Sequence, residues 1–245
     1  MTTLILPAAG NGSRLGLGSQ PKALAPFGNG TFLSFILSKL DGLFDLTVIV
    51  IKPGLERTFR ASLTDTSFSH QRTRISFVTQ PEPIGSLDAV CVGLPSTGEN
   101  AVVLWCDQIG VSRDTVQQLI EALDTYDLAL PYLEMTNPYV WLETAEGTIT
   151  GIGRSRDGDK VPECGKADLG VFALSARAIA LLQSQQSVLC ERLSGRELDF
   201  TYALPLLSAG TDTLVFPTFD VRQSIAVNSP EDLVIAEKEL LHAEN

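Results

Sequence analysis

A chain of 245 residues with 44% apolar and 19% charged content can bury a substantial core and has the balance of an ordinary globular protein. Its 18 Lys and Arg against 29 Asp and Glu leave a formal charge of −11. That balance excludes nucleic-acid binding and adhesion to an anionic membrane, because both need an excess of cations on one face; a phosphate pocket survives, since it needs only a few convergent cations.

The opening "MTTLILPAAG" lacks a basic leader, and its apolar run is too short for a signal peptide or a membrane span, so a cytoplasmic protein is expected. "TLILPA" reads as a strand, "TFLSFILSKL" as a helix, "LTVIVI" as a second buried strand and "RISFVTQ" as a third. A helix from Ser86 and a fourth strand, "AVVLWCD", follow. Continuous apolar strands alternating with helices predict a parallel sheet covered on both faces. After Tyr126 the pattern changes. "DLALPYLEM" and "YVWLETAEGTITGIGRS" read as strands with a hairpin turn at Glu146-Gly147, and "ADLGVFALS" returns toward the sheet. "SIAVNSPEDLVIAEKELL" reads as a strand, then a helix with Ser229 as N-cap, Pro230 in the first position, and Glu231 and Asp232 complementing the dipole. The predicted fold is α/β: a Rossmann-like, mostly parallel sheet with helices on both faces and a late, partly antiparallel insertion. One domain is expected over residues 1–245, with a nucleotide-binding half (1–126) and an acceptor-binding half with the C-terminal helix (127–245).

Cys91, Cys106, Cys164 and Cys190 are scattered without a CxxC pair or neighbouring histidines, so buried reduced thiols are expected, not zinc or disulfides. With only His70 and His242 present, a Ser-His-Asp or Cys-His mechanism has almost no candidate base.

The stretch "LPAAGNGSRLGLGSQPKAL" places a glycine-studded loop after the first strand. A Walker loop needs Gly-Lys followed by Ser or Thr, whereas Lys22 follows Pro21 and precedes Ala23. The dinucleotide fingerprint fails as well: Gly10, Gly12 and Gly16 are spaced one residue too long, and no acidic residue ends the next strand. A triphosphate suits the loop better. Gly10 and Gly12 allow backbone N–H groups close to phosphate, Arg14 can fork onto phosphate oxygens, and Lys22, aimed by Pro21, supplies a compact charge.

This stretch resembles the signature of the nucleotidyltransferases that make nucleoside-diphosphate sugars. It is similar to the uridylyltransferase domain acting on N-acetylglucosamine 1-phosphate and, more distantly, to cytidylyltransferases of the same fold. The resemblance implies nucleotide contacts from Pro7, Ala8, Ala9, Gly10, Gly12 and Ser13, with catalytic roles for Arg14 and Lys22. "TQPEPIGSLDAV" resembles the stretch that recognises the base and implies contacts from Gln80, Gly85 and Ser86; an amide offers the donor and acceptor that a pyrimidine edge requires. Asp107, ending "AVVLWCD", and Asn228, in "IAVNSPEDL", correspond to the family's metal-binding positions. Mg²⁺ is the implied cofactor, a hard cation that takes one or two protein oxygens and the rest from phosphate and water.

The middle of the chain departs from the family pattern. Where the family has an acidic sugar contact this chain has Gly153-Arg154, and Asp168 stands where an asparagine is usual. Tyr139, Arg154 and Asp168 are the expected acceptor contacts, and an arginine in place of a carboxylate suits an acceptor with additional negative charge, or a non-sugar phosphate or phosphonate. The expected partners are thus a nucleoside triphosphate and a phosphorylated small molecule, with transfer of the nucleoside monophosphate and release of pyrophosphate. Three alternatives stand beside this reading: a nucleotide-binding regulator without catalysis, a cytidylyltransferase acting on a non-sugar phosphate or phosphonate, and the related enzyme that attaches a purine nucleotide to a molybdenum cofactor.

Overall fold

The computed structural model describes residues 2–10, 15, 16, 18, 20–64, 73–95, 98–193 and 197–241. The first half alternates strand and helix as the apolar runs require. It runs β1 (Thr2–Pro7), a short hairpin β2 (Pro26–Phe27) and β3 (Gly30–Thr31), α1 (Phe32–Lys39), β4 (Leu46–Ile51) and α2 (Glu56–Thr64). Then come β5 (Arg74–Thr79), α3 (Ser86–Gly93), β6 (Asn100–Leu104) and α4 (Arg113–Ala122). The second half contains β7 (Leu128–Thr136), β8 (Val140–Ala145), β9 (Thr148–Arg154), β10 (Cys164–Asp168) and β11 (Val171–Leu174). It ends with α5 (Ala176–Arg192), α6 (Leu204–Gly210), β12 (Thr213–Pro217) and α7 (Pro230–Leu241).

Ten strands form one sheet in the order β5-β4-β1-β6-β11-β7-β10-β8-β9, with β12 on the other edge of β7. The β5-β4-β1-β6 portion is parallel, and β11, β7, β10, β8 and β9 continue it antiparallel. The fold is thus the α/β class read from the sequence. Both faces of β1, β4 and β6 are buried, which explains why the middles of these strands are apolar at consecutive positions. Leu4, Leu6, Ile49 and Ile51 pack beneath α1, α4 and α7, while Ile5, Val48, Val50 and Val103 pack beneath α3, α5 and α6. The hairpin turn between β8 and β9 sits at Glu146-Gly147, both with positive φ (50° and 80°), the geometry that a two-residue hairpin favours.

Two local readings change. "SIAV" is not a strand: Ile225 and Val227 give their backbone groups to the loop after β6, with Gly110 N–H donating to Ile225 O and Val227 N–H to Asp107 O. A run whose hydrogen bonds go to a loop has the apolar pattern of a strand without its ladder. The thiols also differ in exposure, with Cys106 buried, Cys91 and Cys190 partly buried and Cys164 exposed; all four are free.

The chain passes from β1 to β4 and β5 on one side and returns to β6 on the other. The carboxyl ends of β1 and β6 therefore flank a topological switch point, where open α/β sheets leave a crevice for ligands.

Candidate active site

A cavity of about 380 Å³ opens at this switch point. The loop after β1 contributes Pro7, Ala8, Ala9 and Gly10, the start of the next turn contributes Lys22, and the turn after β6 contributes Trp105, Cys106 and Asp107. Gln80, Gly85 and Ser86, between β5 and α3, form one side, and Glu197 with Asp199 the other. Gly12, Ser13 and Arg14 lie outside the described residues, as do His70 and His242.

Lys22 opens a short 3₁₀ turn anchored by the buried Ala23 and Leu24, and its backbone N–H donates to Gly10 O at 3.3 Å. This fixes the side chain's root beside the glycine loop. Its ammonium donates to Asp107 Oδ2 at 2.5 Å and to Asn228 Oδ1 at 2.8 Å. Three residues from distant parts of the chain thus meet at one point. Asp107 sits three residues beyond the end of β6 rather than on the strand itself. Asn228 is carried to it by the Val227–Asp107 backbone bond and held on its other side by α7, where Asp232 Oδ2 accepts from the N–H groups of Asn228 and Ser229 (both 2.9 Å). Ser229 Oγ accepts from Asp232 N–H, so the helix start read from the sequence also orients Asn228. The Cys106 thiol is pushed well above its ordinary range by burial and by the neighbouring Asp107 carboxylate, so it remains a protonated wall of the cavity.

Gln80 is 3% exposed, and its amide N–H₂ donates to Gly85 O at 3.1 Å and to Asp88 Oδ2 at 2.9 Å. Both donors are engaged by the protein, which leaves the amide oxygen to accept from a ligand. Gly85 has φ of +143°, and a Cβ there would run into the Leu198 backbone, so only glycine allows this approach. Ser86 Oγ accepts from Phe200 N–H at 2.9 Å, which ties the side carrying Glu197 and Asp199 to the start of α3.

Arg154 ends β9 with only 3% exposure. Its Nη2 pairs with Asp199 Oδ2 at 2.9 Å, its Nε lies 3.7 Å from Asp157 Oδ2, and the guanidinium rests 5.4 Å from the centre of the Tyr202 ring. The Tyr202 hydroxyl donates to Asp157, and this bond holds the Asp157 carboxyl below its usual range. Asp168, ending β10, accepts from Gly170 N–H at 2.9 Å; burial pushes its carboxyl up to about 7, with the Asp199 charge adding to the rise. Tyr139 is 54% exposed and is not among the residues lining the cavity.

The structure therefore brings Lys22, Asp107 and Asn228 together, sets Gln80, Gly85 and Ser86 beside them, and keeps Tyr139 apart. Trp105, Glu197 and Asp199 are cavity residues that sequence reasoning missed. Trp105 lies two residues before Asp107 and was legible as part of the same stretch. Glu197 and Asp199 follow α5 with no motif spacing, and it is the docking of Leu198 and Phe200 on residues 84–87 that brings them to the site.

Residues 4–156 match the MobA-like NTP transferase domain family. The chain belongs to that family. Sequence relatives of this NTP transferase domain include the bifunctional protein GlmU of Marinobacter nauticus, 28% identical over 71% of this chain and 38% of that protein. The GlmU of Francisella philomiragia is 30% identical over 62% of this chain and 29% of that protein. The match thus spans well under half the length of these relatives. Among solved structures, a UDP-glucose pyrophosphorylase complexed with UDP-glucose shares the fold of the NTP transferase domain with a TM-score of 0.71, at 15% identity and with full coverage of both chains. HddC from Yersinia pseudotuberculosis gives 0.66 at 16% identity, covering 97% of this chain and 99% of its own. Among the described residues no helix is long and apolar enough to cross a membrane.

Proposed function

We propose that this NTP transferase domain moves a nucleoside monophosphate from a pyrimidine nucleoside triphosphate to a phosphorylated acceptor, a sugar 1-phosphate or a related phosphomonoester, with release of pyrophosphate. The observation that carries the reading is the convergence of Lys22, Asp107 and Asn228 beside the Gly10 loop, at the switch point of the sheet. Kinship with GlmU and the fold shared with a UDP-glucose pyrophosphorylase support the same class of reaction.

The acceptor oxygen in such a reaction is already anionic, so it needs no general base. The barrier lies in bringing two anions together, which makes positioning and charge neutralisation the protein's task. Lys22 would exchange Asp107 for oxygens of the reacting phosphates and stabilise charge growing at the α-phosphate. Arg14 would face the departing pyrophosphate, and the Gly10 backbone would approach the triphosphate. Gln80, held by Gly85 and Asp88, would accept a hydrogen bond from the base edge.

The donor set fits Mg²⁺: Asp107 and Asn228 offer two hard oxygens that already reach one cationic group, at 2.5 and 2.8 Å. When bound there, the ion supplies charge neutralisation between acceptor and α-phosphate oxygens.

Pyrophosphate release on mixing the protein with Mg²⁺, each of the four common triphosphates and a panel of sugar 1-phosphates tests the reading. Release with CTP or UTP supports it, and thermal shifts by the same triphosphates report the base preference through mass action. Binding of nucleotide without release from any mixture would favour the regulatory alternative. A clear preference for a purine triphosphate would discard the pyrimidine assignment.

A further inference from the structure

The transfer reading gives the base edge to Gln80, and the residue that decides what Gln80 offers to that edge stands in the first turn of α3. Gln80 is fixed at three points. Its backbone N–H donates to Ile51 O at 2.9 Å, and its amide N–H₂ donates to Gly85 O at 3.1 Å and to Asp88 Oδ2 at 2.9 Å. A carbonyl and a carboxylate only accept, so one flip of the amide satisfies both and the other sets its oxygen against them. Gln80 Oε1 has no hydrogen-bond partner among the described residues and is not one of the buried unpartnered atoms. It therefore opens onto the cavity that Gln80 lines.

Asp88 lies three residues after the N-cap Gly85, the place from which an acidic side chain commonly reaches back to the N-cap N–H. Here the carboxylate takes the Gln80 amide instead. Gly85 O is a backbone group, whereas Asp88 contributes the half of the lock that depends on a side chain, and its bond is charge-assisted. Gln80 thus meets a ligand as an acceptor, not as a donor. The bases divide on this point. On their pairing edges uracil and guanine carry a ring N–H beside a carbonyl oxygen, while cytosine and adenine carry a bare ring nitrogen beside an amino group. Wherever an acceptor of fixed orientation meets an N–H of one kind, the other kind sets a lone pair against it, and an unpaired polar contact of this sort is strongly rejected.

We propose that Asp88 is a positioning residue that sets the discrimination between keto and amino bases, by holding Gln80 in the flip that presents only its oxygen. The proposal rests on the transfer reading for a nucleotide in this cavity, but it concerns binding and applies to either ring class. Asp88→Asn keeps the shape and can either accept from the Gln80 amide or donate to it, so only Gly85 O then favours the native flip. A carboxylate in the first turn also complements the dipole of α3. Lost stability in a variant therefore does not bear on the proposal, whereas a changed ratio of base affinities does.

The test is calorimetric binding of UTP, CTP, GTP and ATP to the full chain with Mg²⁺ and no acceptor. In the native chain the preferred triphosphate is expected to bind about 10²-fold more tightly than its counterpart of the same ring class, UTP against CTP or GTP against ATP. Asp88→Asn should shrink that ratio about tenfold, chiefly through tighter binding of the disfavoured base, and Asp88→Ala should shrink it by roughly threefold or more. Gln80→Met, which keeps bulk and removes the amide, should bring the pair near parity. A native ratio below about threefold overturns the proposal, and so does a ratio that survives unchanged in Asp88→Asn and Asp88→Ala. A preference for a purine triphosphate discards the pyrimidine assignment, and the GTP to ATP ratio then decides the proposal in the same way. Absence of pyrophosphate release with every acceptor discards the transfer reading without altering these affinities. Failure of all four triphosphates to bind overturns both.

Discussion

Two ion pairs, Lys22–Asp107 on the parallel side of the cavity and Arg154–Asp199 on the antiparallel side, have similar chemistry and different settings. The side chains of Lys22 and Asp107 are 17% and 24% exposed and sit outside the sheet, one at the start of a 3₁₀ turn and one in the turn after β6, so each can trade its partner for a ligand. Arg154 ends a strand with its side chain 4% exposed, and its partners are themselves hydrogen-bonded to Thr201 and Tyr202. The comparison shows that burial separates a charge that can act on a ligand from one that holds another residue in place.

The sharpest way to break this comparison is Arg154→Ala. Removing one member of a buried pair leaves the other uncompensated, so unfolding free energy by chemical denaturation should fall by about 3–5 kcal/mol. A loss under about 1 kcal/mol would move Arg154 into the ligand-facing class. Asp107→Ala should behave oppositely: kcat is expected to drop roughly 10²–10³-fold, the equivalent of about 2.7–4 kcal/mol, with cooperative melting retained. Near-normal turnover would remove Asp107 from the mechanism.

Asp168→Asn probes the acidic side through pH. The folded carboxyl titrates near 7, above its unfolded value of about 3.9, so the proton favours the folded state. The stability this group contributes is fully present below about pH 4 and is lost as pH rises through 7. Stability of the native chain relative to Asp168→Asn should therefore decline between pH 4 and 7 and level off above, by up to about 4 kcal/mol. A pH-independent difference would show that Asp168 is solvated like a surface carboxylate. Ser229→Ala, which removes the cap of α7, should cost about 1 kcal/mol in thermal or chemical melting.

Much of the parallel side of the cavity was legible in the sequence because its parts are local. A strand, a glycine loop and Pro21-Lys22 follow one another, and Ser229-Pro230 marks a helix start with Asn228 just before it. The antiparallel side was less legible. Its strands could be read from alternation and from the Glu146-Gly147 turn, but Asp199, the carboxylate at 2.9 Å from Arg154, lies far along the chain on a segment with no periodic signal. Reading Arg154 by its charge alone led toward an anionic acceptor, since a formal charge carries no record of what neutralises it. The strand expected at "SIAV" failed similarly, because an apolar run looks the same whether its backbone bonds go to a ladder or to a loop.

By itself the sequence determined the parallel core, the phosphate-suited loop and the residue types available for chemistry, since these follow from periodicity and from glycine and proline at fixed offsets. Only the tertiary structure decided which charges meet. Pairing depends on distance and desolvation between residues far apart in the chain, and it is the sheet crossing from β1 to β6 and the docking of residues 225–228 that gather Lys22, Asp107 and Asn228 into one site.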